Sequence, residues 1–177
     1  NIAHFAATNI TSSPLIASIT VTPTSNGCAG TAQTFTITVN PVSKVTVISN
    51  VVLCNNKTSG VIPITGNVSG TSYAWTNSLP AIGLAASGIG DIPSFTTLNN
   101  GTIPLVATIK VTPTANGCPG TPNSFTITVN PTPSVNTIGN YTFCNNQASG
   151  IITFSGNVPG ATYPWTNNTP SIGLVAG

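Results

Sequence analysis

Four cysteines are the only side chains in this chain with redox or strong metal chemistry: Cys28, Cys54, Cys118 and Cys144. They lie far apart, with none of the CxxC spacing that a zinc or thiol-redox site needs. The chemistry left to them is disulfide formation or burial as free thiols. Four cysteines allow three pairings. Cys54–Cys118 would staple one unit. Alternatively, a cysteine at one pole of a unit would bond to a cysteine at the facing pole of the next, and both arrangements stay open. The remaining reactive groups are sparse: one His (His4), one carboxylate (Asp91), and Lys44, Lys57 and Lys110. Asp91 has no carboxylate partner for paired-carboxylate hydrolysis. A lone His gives poor support to a Ser or Thr nucleophile. The chain reads as non-enzymatic, with no catalytic, cofactor-binding or metal-binding residues and no cofactor.

The spacing of the cysteines carries more information than their chemistry. Cys28 returns as Cys118, Cys54 as Cys144 and Trp75 as Trp165, each 90 residues later. About half of the aligned positions are identical, which marks a duplicated unit. The unrepeated groups follow the opposite rule. His4 aligns with Ser94, Lys44 with Ser134, Lys57 with Gln147 and Lys110 with Thr20. A site built on these would occur once in the array, and a stapling isopeptide bond in every unit is not supported.

Charge is nearly absent. Asp, Glu, Lys and Arg make up 2% of the chain, against about 25% in an average soluble domain. Nucleic-acid binding is excluded, since it needs clustered Lys and Arg. Low charge favours self-association, because copies do not repel one another. Apolar stretches are interrupted by Thr and Asn before they reach membrane-spanning length, so no membrane span is expected.

The elements that carry these residues read as strands. Leu15, Ala17, Ile19 and Val21 alternate with polar residues, as do Phe35, Ile37 and Val39, which puts each set on one face. Asn26-Gly27 between them is a hairpin turn signal, repeated at Asn116-Gly117. The loop is expected to run longer, from about 23 to 30. Further strands are expected near 45–48, 61–64, 72–75, 82–85 and 95–98, giving about seven per unit. Such spacing predicts an antiparallel β-sandwich, and no segment has the period and caps of a helix. Val39-Asn40-Pro41 and Val129-Asn130-Pro131 stop the last strand of each copy. The boundaries therefore divide the chain into 1–40, the C-terminal part of a preceding repeat; 41–130, a complete repeat; and 131–177, the N-terminal part of a following one. Gly177 matches Ser87 and Asn1 matches Asp91. The chain thus reads either as a window on a longer array or as a subunit whose incomplete ends complete one another, 131–177 of one copy pairing with 1–40 of the next.

Three strings carry a family resemblance. Tyr-x-Trp-Thr-Asn-x-x-Pro-x-Ile-Gly-Leu runs from Tyr73 to Leu84, Val-Thr-Pro-Thr-x-Asn-Gly-Cys-x-Gly-Thr from Val21 to Thr31, and Phe-Thr-Ile-Thr-Val-Asn-Pro from Phe35 to Pro41. Together they resemble the PKD-like, Ig-like tandem repeats of Bacteroidota secreted surface proteins. The resemblance implies an all-β fold of tandem Ig-like sandwiches and an extracellular, cell-surface location. It also implies a structural role in an adhesin or filament, with no catalytic residues. Thr76-Asn77-Ser78 replaces the acidic Gly-Asp-Gly turn of better-known PKD domains, which argues against calcium-dependent stiffening.

The partners expected are copies of the chain or neighbouring repeats, with surface glycans as a further class. Trp75 and Trp165 could stack on sugar in a carbohydrate-binding accessory module, which is the alternative function. The Tyr-x-Trp alternation instead favours Tyr73, Trp75, Tyr163 and Trp165 as core aromatics. Glycosylation motifs at Asn9, Asn56, Asn67, Asn100, Asn140 and Asn167 are expected by chance in so Asn- and Thr-rich a chain.

Overall fold

β-branched residues at every second position need a pleated surface to pack against. The computed structural model, described here over residues 1–175, shows where the chain supplies one. Its strands are β1 (Leu15–Val21), β2 (Thr24–Ser25), β3 (Cys28–Ala29), β4 (Gln33–Val39), β5 (Val51–Cys54), β6 (Ser72–Asn77), β7 (Ser87–Ile89), β8 (Leu105–Ala115), β9 (Cys118–Pro119) and β10 (Asn123–Asn130). Two short 3-10 turns, Pro80–Ile82 and Pro170–Ile172, are the helical elements among the described residues. The protein is nearly all β, with mainly antiparallel sheets consistent with a sandwich.

The central segment holds the large sheet, in the order β5-β10-β8-β6-β7, with β9 paired to β8. β8 and β10 form the hairpin read from the sequence, in the register Phe125↔Ile109 and Ile127↔Ala107. The alternation places Ala107, Ile109, Val111, Phe125, Ile127 and Val129 inward, all buried, while Thr108 and Lys110 face water. Trp75 joins this face opposite Val111. Over it lies a second layer held by single bridges rather than continuous ladders: Val45↔Gly66, Thr58↔Thr96 and Ile62↔Ile92. Val45, Ile64, Ile82, Leu84 and Ile92 from this layer complete one apolar cluster.

Several expected strands are corrected by this arrangement. Segments 45–48, 61–64 and 95–98 contribute isolated bridges, and 82–85 follows a 3-10 turn instead of forming a strand. Pro63 removes a donor within 61–64, and in 95–98 the Thr97 and Leu98 N–H groups bond to different segments, Lys57 O and Ile82 O, rather than to one partner strand. Two strands escaped the sequence reading, β5 and β7. β5 also breaks the purely antiparallel expectation, because it pairs parallel to β10, Ile127↔Val51 through Asn130↔Cys54. The hairpin loop is shorter than expected. Pairing continues to Ala115↔Cys118 and Ser25↔Cys28, leaving a two-residue turn. Asn116 (φ 50°) and Gly117 (φ 75°) both sit in the left-handed region, which their types tolerate.

A buried amide network locks the sheet edge to the second layer. Asn99 donates through Nδ2 to the carbonyls of Val129 (2.7 Å) and Ile103 (2.9 Å). Its own N–H reaches Oδ1 of Asn55 at 2.8 Å. Asn55 in turn donates its N–H to Asn130 O at 2.8 Å. The Thr97 hydroxyl lies 2.7 Å from Cys54 O and accepts the Lys57 N–H at 2.9 Å. These groups stand in for ladder partners where the second layer has none. The chain enters the unit near the hairpin tip, where Thr121 N–H meets Ser43 O at 2.9 Å. It leaves at the opposite pole, at Asn130.

Replacing Asn99 with Ala leaves the buried Val129 carbonyl, the part-buried Ile103 carbonyl and the Gly101 N–H without their side-chain partner. Urea unfolding of the variant is expected to show a loss of about 3 kcal/mol. A loss below about 0.5 kcal/mol would contradict the network's role.

Candidate assembly interface

The flanking segments repeat parts of the central one, 1–40 matching 91–130 and 131–175 matching 41–85. In 1–40, β1 and β4 pair as β8 and β10 do, Ile19↔Phe35 and Ala17↔Ile37. Asn9 repeats the Asn99 clamp, donating to Val39 O at 2.7 Å and Ser13 O at 2.9 Å. In 131–175, Val135 bridges Gly156 as Val45 bridges Gly66. Asn157 accepts the Ser134 N–H at 2.7 Å, as Asn67 accepts that of Lys44 at 2.7 Å. Asn167 accepts the Thr169 N–H at 2.9 Å, as Asn77 accepts that of Leu79. Local sequence therefore reproduces the local geometry in both halves.

Exposure separates the halves from the complete unit. Phe35 is 45% exposed where Phe125 is 4%, Val21 is 50% where Val111 is 1%, and Ile172 is 71% where Ile82 is buried completely. On the hairpin side the open face forms a groove of about 430 Å³ lined by Ile2, Phe5, Leu15, Ala17, Ile37 and Val39. The equivalents of these residues in the complete unit pack in or against the central core, beneath side chains from 41–87. The matching side chains 90 residues on are Val135, Ile138, Tyr141, Phe154, Trp165, Ile172 and Leu174. Segments 141–144 and 162–167 form no ladder, although their counterparts are β5 and β6. Their ladder partners are the equivalents of β10 and β8, which belong to the other half.

The predicted core aromatics divide along the same line. Trp75 is buried, and Gly88 lies so close beneath its ring that a β-carbon there would overlap it. Its indole N–H has no acceptor among the described residues. Tyr73 packs against the core. Trp165 and Tyr163 are only half-buried, and Tyr163 packs against Phe154, centroids 6.4 Å apart.

The four cysteines carry exposed thiols and form no bond with one another. Cys54 is in register with Asn130 at the exit pole, while Cys118 sits beside the hairpin tip, opposite Ala115. The length of β10 separates these poles by roughly 20 Å, far beyond disulfide reach. The intra-unit Cys54–Cys118 staple left open by the sequence is therefore incompatible with this topology. At the junction between segments, however, Asn40 Nδ2 lies 3.8 Å from Cys118 Sγ and 3.4 Å from Asn116 O. The exit pole of one unit thus meets the tip of the next.

Asp91 Oδ1 accepts the Ile64 N–H at 2.8 Å, a structural use of the one carboxylate, and His4 is exposed. Among the described residues no three His, Cys, Asp or Glu side chains converge, and no helix is long and apolar enough to cross a membrane. Compared with models of protein families, curated proteins and solved structures, the chain shows no match. The open faces of 1–40 and 131–175 are the features whose sequence signal was the repeat phase itself.

Acrylamide quenching of the dispersed chain should resolve two tryptophan populations, Trp75 protected and Trp165 accessible. Trp165→Phe should leave only the protected one. Equal quenching of both in the dispersed chain would contradict the half-unit description.

Proposed function

We propose that this chain is a structural tandem-repeat segment of an extracellular bacterial adhesin or surface filament, in which stacked Ig-like sandwiches give length and cohesion. One observation carries the reading: the faces left open on 1–40 and 131–175 are those that pack against each other inside 41–130. The occupant of each open face is the complementary half of a neighbouring repeat, which for residues 1–177 on their own comes from a second copy. Residues 131–175 of one copy cover the hairpin of the next, as 41–87 covers β8 and β10. Transferring the central register by 90 residues pairs Ile37 with Tyr141 and Val39 with Phe143 in parallel, and Val21 with Trp165 in antiparallel. This is strand addition to an open sheet edge. Near-absence of charge means that little charge must be desolvated at the contact.

Two departures weaken the transferred unit relative to the central one. Pro164 stands where Ala74 donates in the ladder, and Ala7 replaces the Thr97 hydroxyl. Pro164 removes one hydrogen bond and Ala7 the two that the Thr97 hydroxyl makes with Cys54 O and Lys57 N–H, at a cost of about 1 kcal/mol each. Association is thus expected to be weaker than folding of the central unit. Burial of Trp75 favours a packing role for that ring over sugar stacking.

Light scattering tests the reading. The chain should grow into head-to-tail polymers with concentration, visible as unbranched filaments by electron microscopy. Ile37→Asp spoils the hairpin face and Ile172→Asp the complementary face, so each variant alone should stay monomeric. Mixed, they retain one intact pair of faces and should stop at a dimer. A mixture that stays monomeric, or polymers from either variant alone, would refute head-to-tail completion.

A further inference from the structure

The junction geometry has a chemical consequence for the cysteines. In the central unit Cys54 is the register partner of Asn130. The same pairing 90 residues away places Cys144 of a neighbouring copy beside Asn40. Side chains of register partners share a face of the sheet, and neighbouring strands lie about 4.8 Å apart. Asn40 already touches Cys118 across the junction, its Nδ2 lying 3.8 Å from Sγ. Cys144 of the neighbouring copy therefore arrives beside Cys118, on the side from which Asn40 reaches it. The next junction along repeats the arrangement. Cys54 sits beside Asn130, and the tip that meets Asn130 is the Asn26-Gly27 turn of the following copy, which carries Cys28.

We infer that assembly brings the thiols together in two interchain pairs, Cys144 with Cys118 and Cys54 with Cys28, and that these close into disulfides locking each copy to the next. The inference rests on the head-to-tail reading above. It uses all four cysteines, which are exposed and unbonded in the single chain. It also explains why the cysteines recur at the two poles of the repeat rather than within reach of each other in one unit.

The reaction balances with a small-molecule disulfide as oxidant. One thiolate attacks the oxidant, displacing one thiol and forming a mixed disulfide. The facing cysteine thiolate then attacks the protein sulfur of that mixed disulfide and releases the second thiol. The two S–H bonds become one S–S bond, and the two electrons and two protons leave on the reduced oxidant. Each pair needs a Cα separation of roughly 4.4–6.8 Å, which the assembled junction would have to provide and the isolated chain does not.

The test uses equal parts of unlabelled and nitrogen-15-labelled full chain, assembled under reduction and then exposed to oxidised glutathione. Non-reducing electrophoresis should give a ladder that collapses on reduction. Peptide mapping should find Cys118 joined to Cys144 and Cys28 joined to Cys54, with about half of the crosslinks of mixed isotope, as random pairing between chains requires. Cys118→Ser should remove the first crosslink and keep the second. The double variant with Cys28→Ser should lose the ladder while light scattering still reports polymers. Polymers whose four thiols stay alkylatable after oxidation would overturn the disulfide inference alone. Crosslinks of single isotope, or a Cys54–Cys118 bond, would overturn it as well. Absence of polymers from the reduced chain would overturn the assembly reading beneath it.

Discussion

Everything in this protein depends on one packing event, the covering of a two-stranded hairpin's apolar face by the segment that precedes it in the repeat. The hairpin brings Ala107, Ile109, Val111, Phe125, Ile127 and Val129 to one surface, β6 extends it with Trp75, and the rest of 41–87 brings Ile82, Leu84, Val45 and Ile64 down onto it. Neither surface has an apolar partner of its own. An isolated hairpin is marginal in water, and the second layer lacks the continuous ladders that would let it stand alone. Residues 1–40 and 131–175 display that dependence directly, since each keeps its local turns and clamps and leaves its apolar residues in water.

The second layer shows how a sandwich leaf is built when prolines and short bridges prevent regular strands. Its backbone is tied down by Asn and Thr side chains, which reach across to carbonyls that a ladder would otherwise satisfy. Asn99 and Asn55 fix the exit pole, and Asn77 fixes the turn after β6. The Asn- and Thr-rich composition thus has two roles. Outward-facing residues keep a nearly uncharged surface wet, and inward-facing ones replace backbone partners.

Polarity follows from the route of the chain. It enters the central unit beside the hairpin tip and leaves at the opposite pole, and at the described junction the end of 1–40 meets that tip, so unlike poles are in contact. β5 runs parallel to β10 and ends beside Asn130. The contacts of Asn40 with Cys118 and Asn116 show this stacking within one chain. In the proposed array this polarity would make the junctions equivalent and put the two cysteine positions of the repeat on facing poles.

The sequence alone determined the repeat, its 90-residue period, the inward and outward faces of the hairpin and the turn at Asn116-Gly117. These depend on period-2 alternation and on residue types that tolerate positive φ, both of which are local properties. It also exposed the phase of the duplication. It missed β5 and β7, because four-residue and three-residue strands leave too few alternations to detect. It over-assigned strands at 61–64, 82–85 and 95–98, where apolar residues are inward but donors are missing or bonded to side chains. Cysteine pairing could not be read from spacing, since the choice rests on which pole each cysteine occupies. Only the tertiary structure decided that, because the direction of β5 relative to β10 is set by a contact between residues more than 70 positions apart.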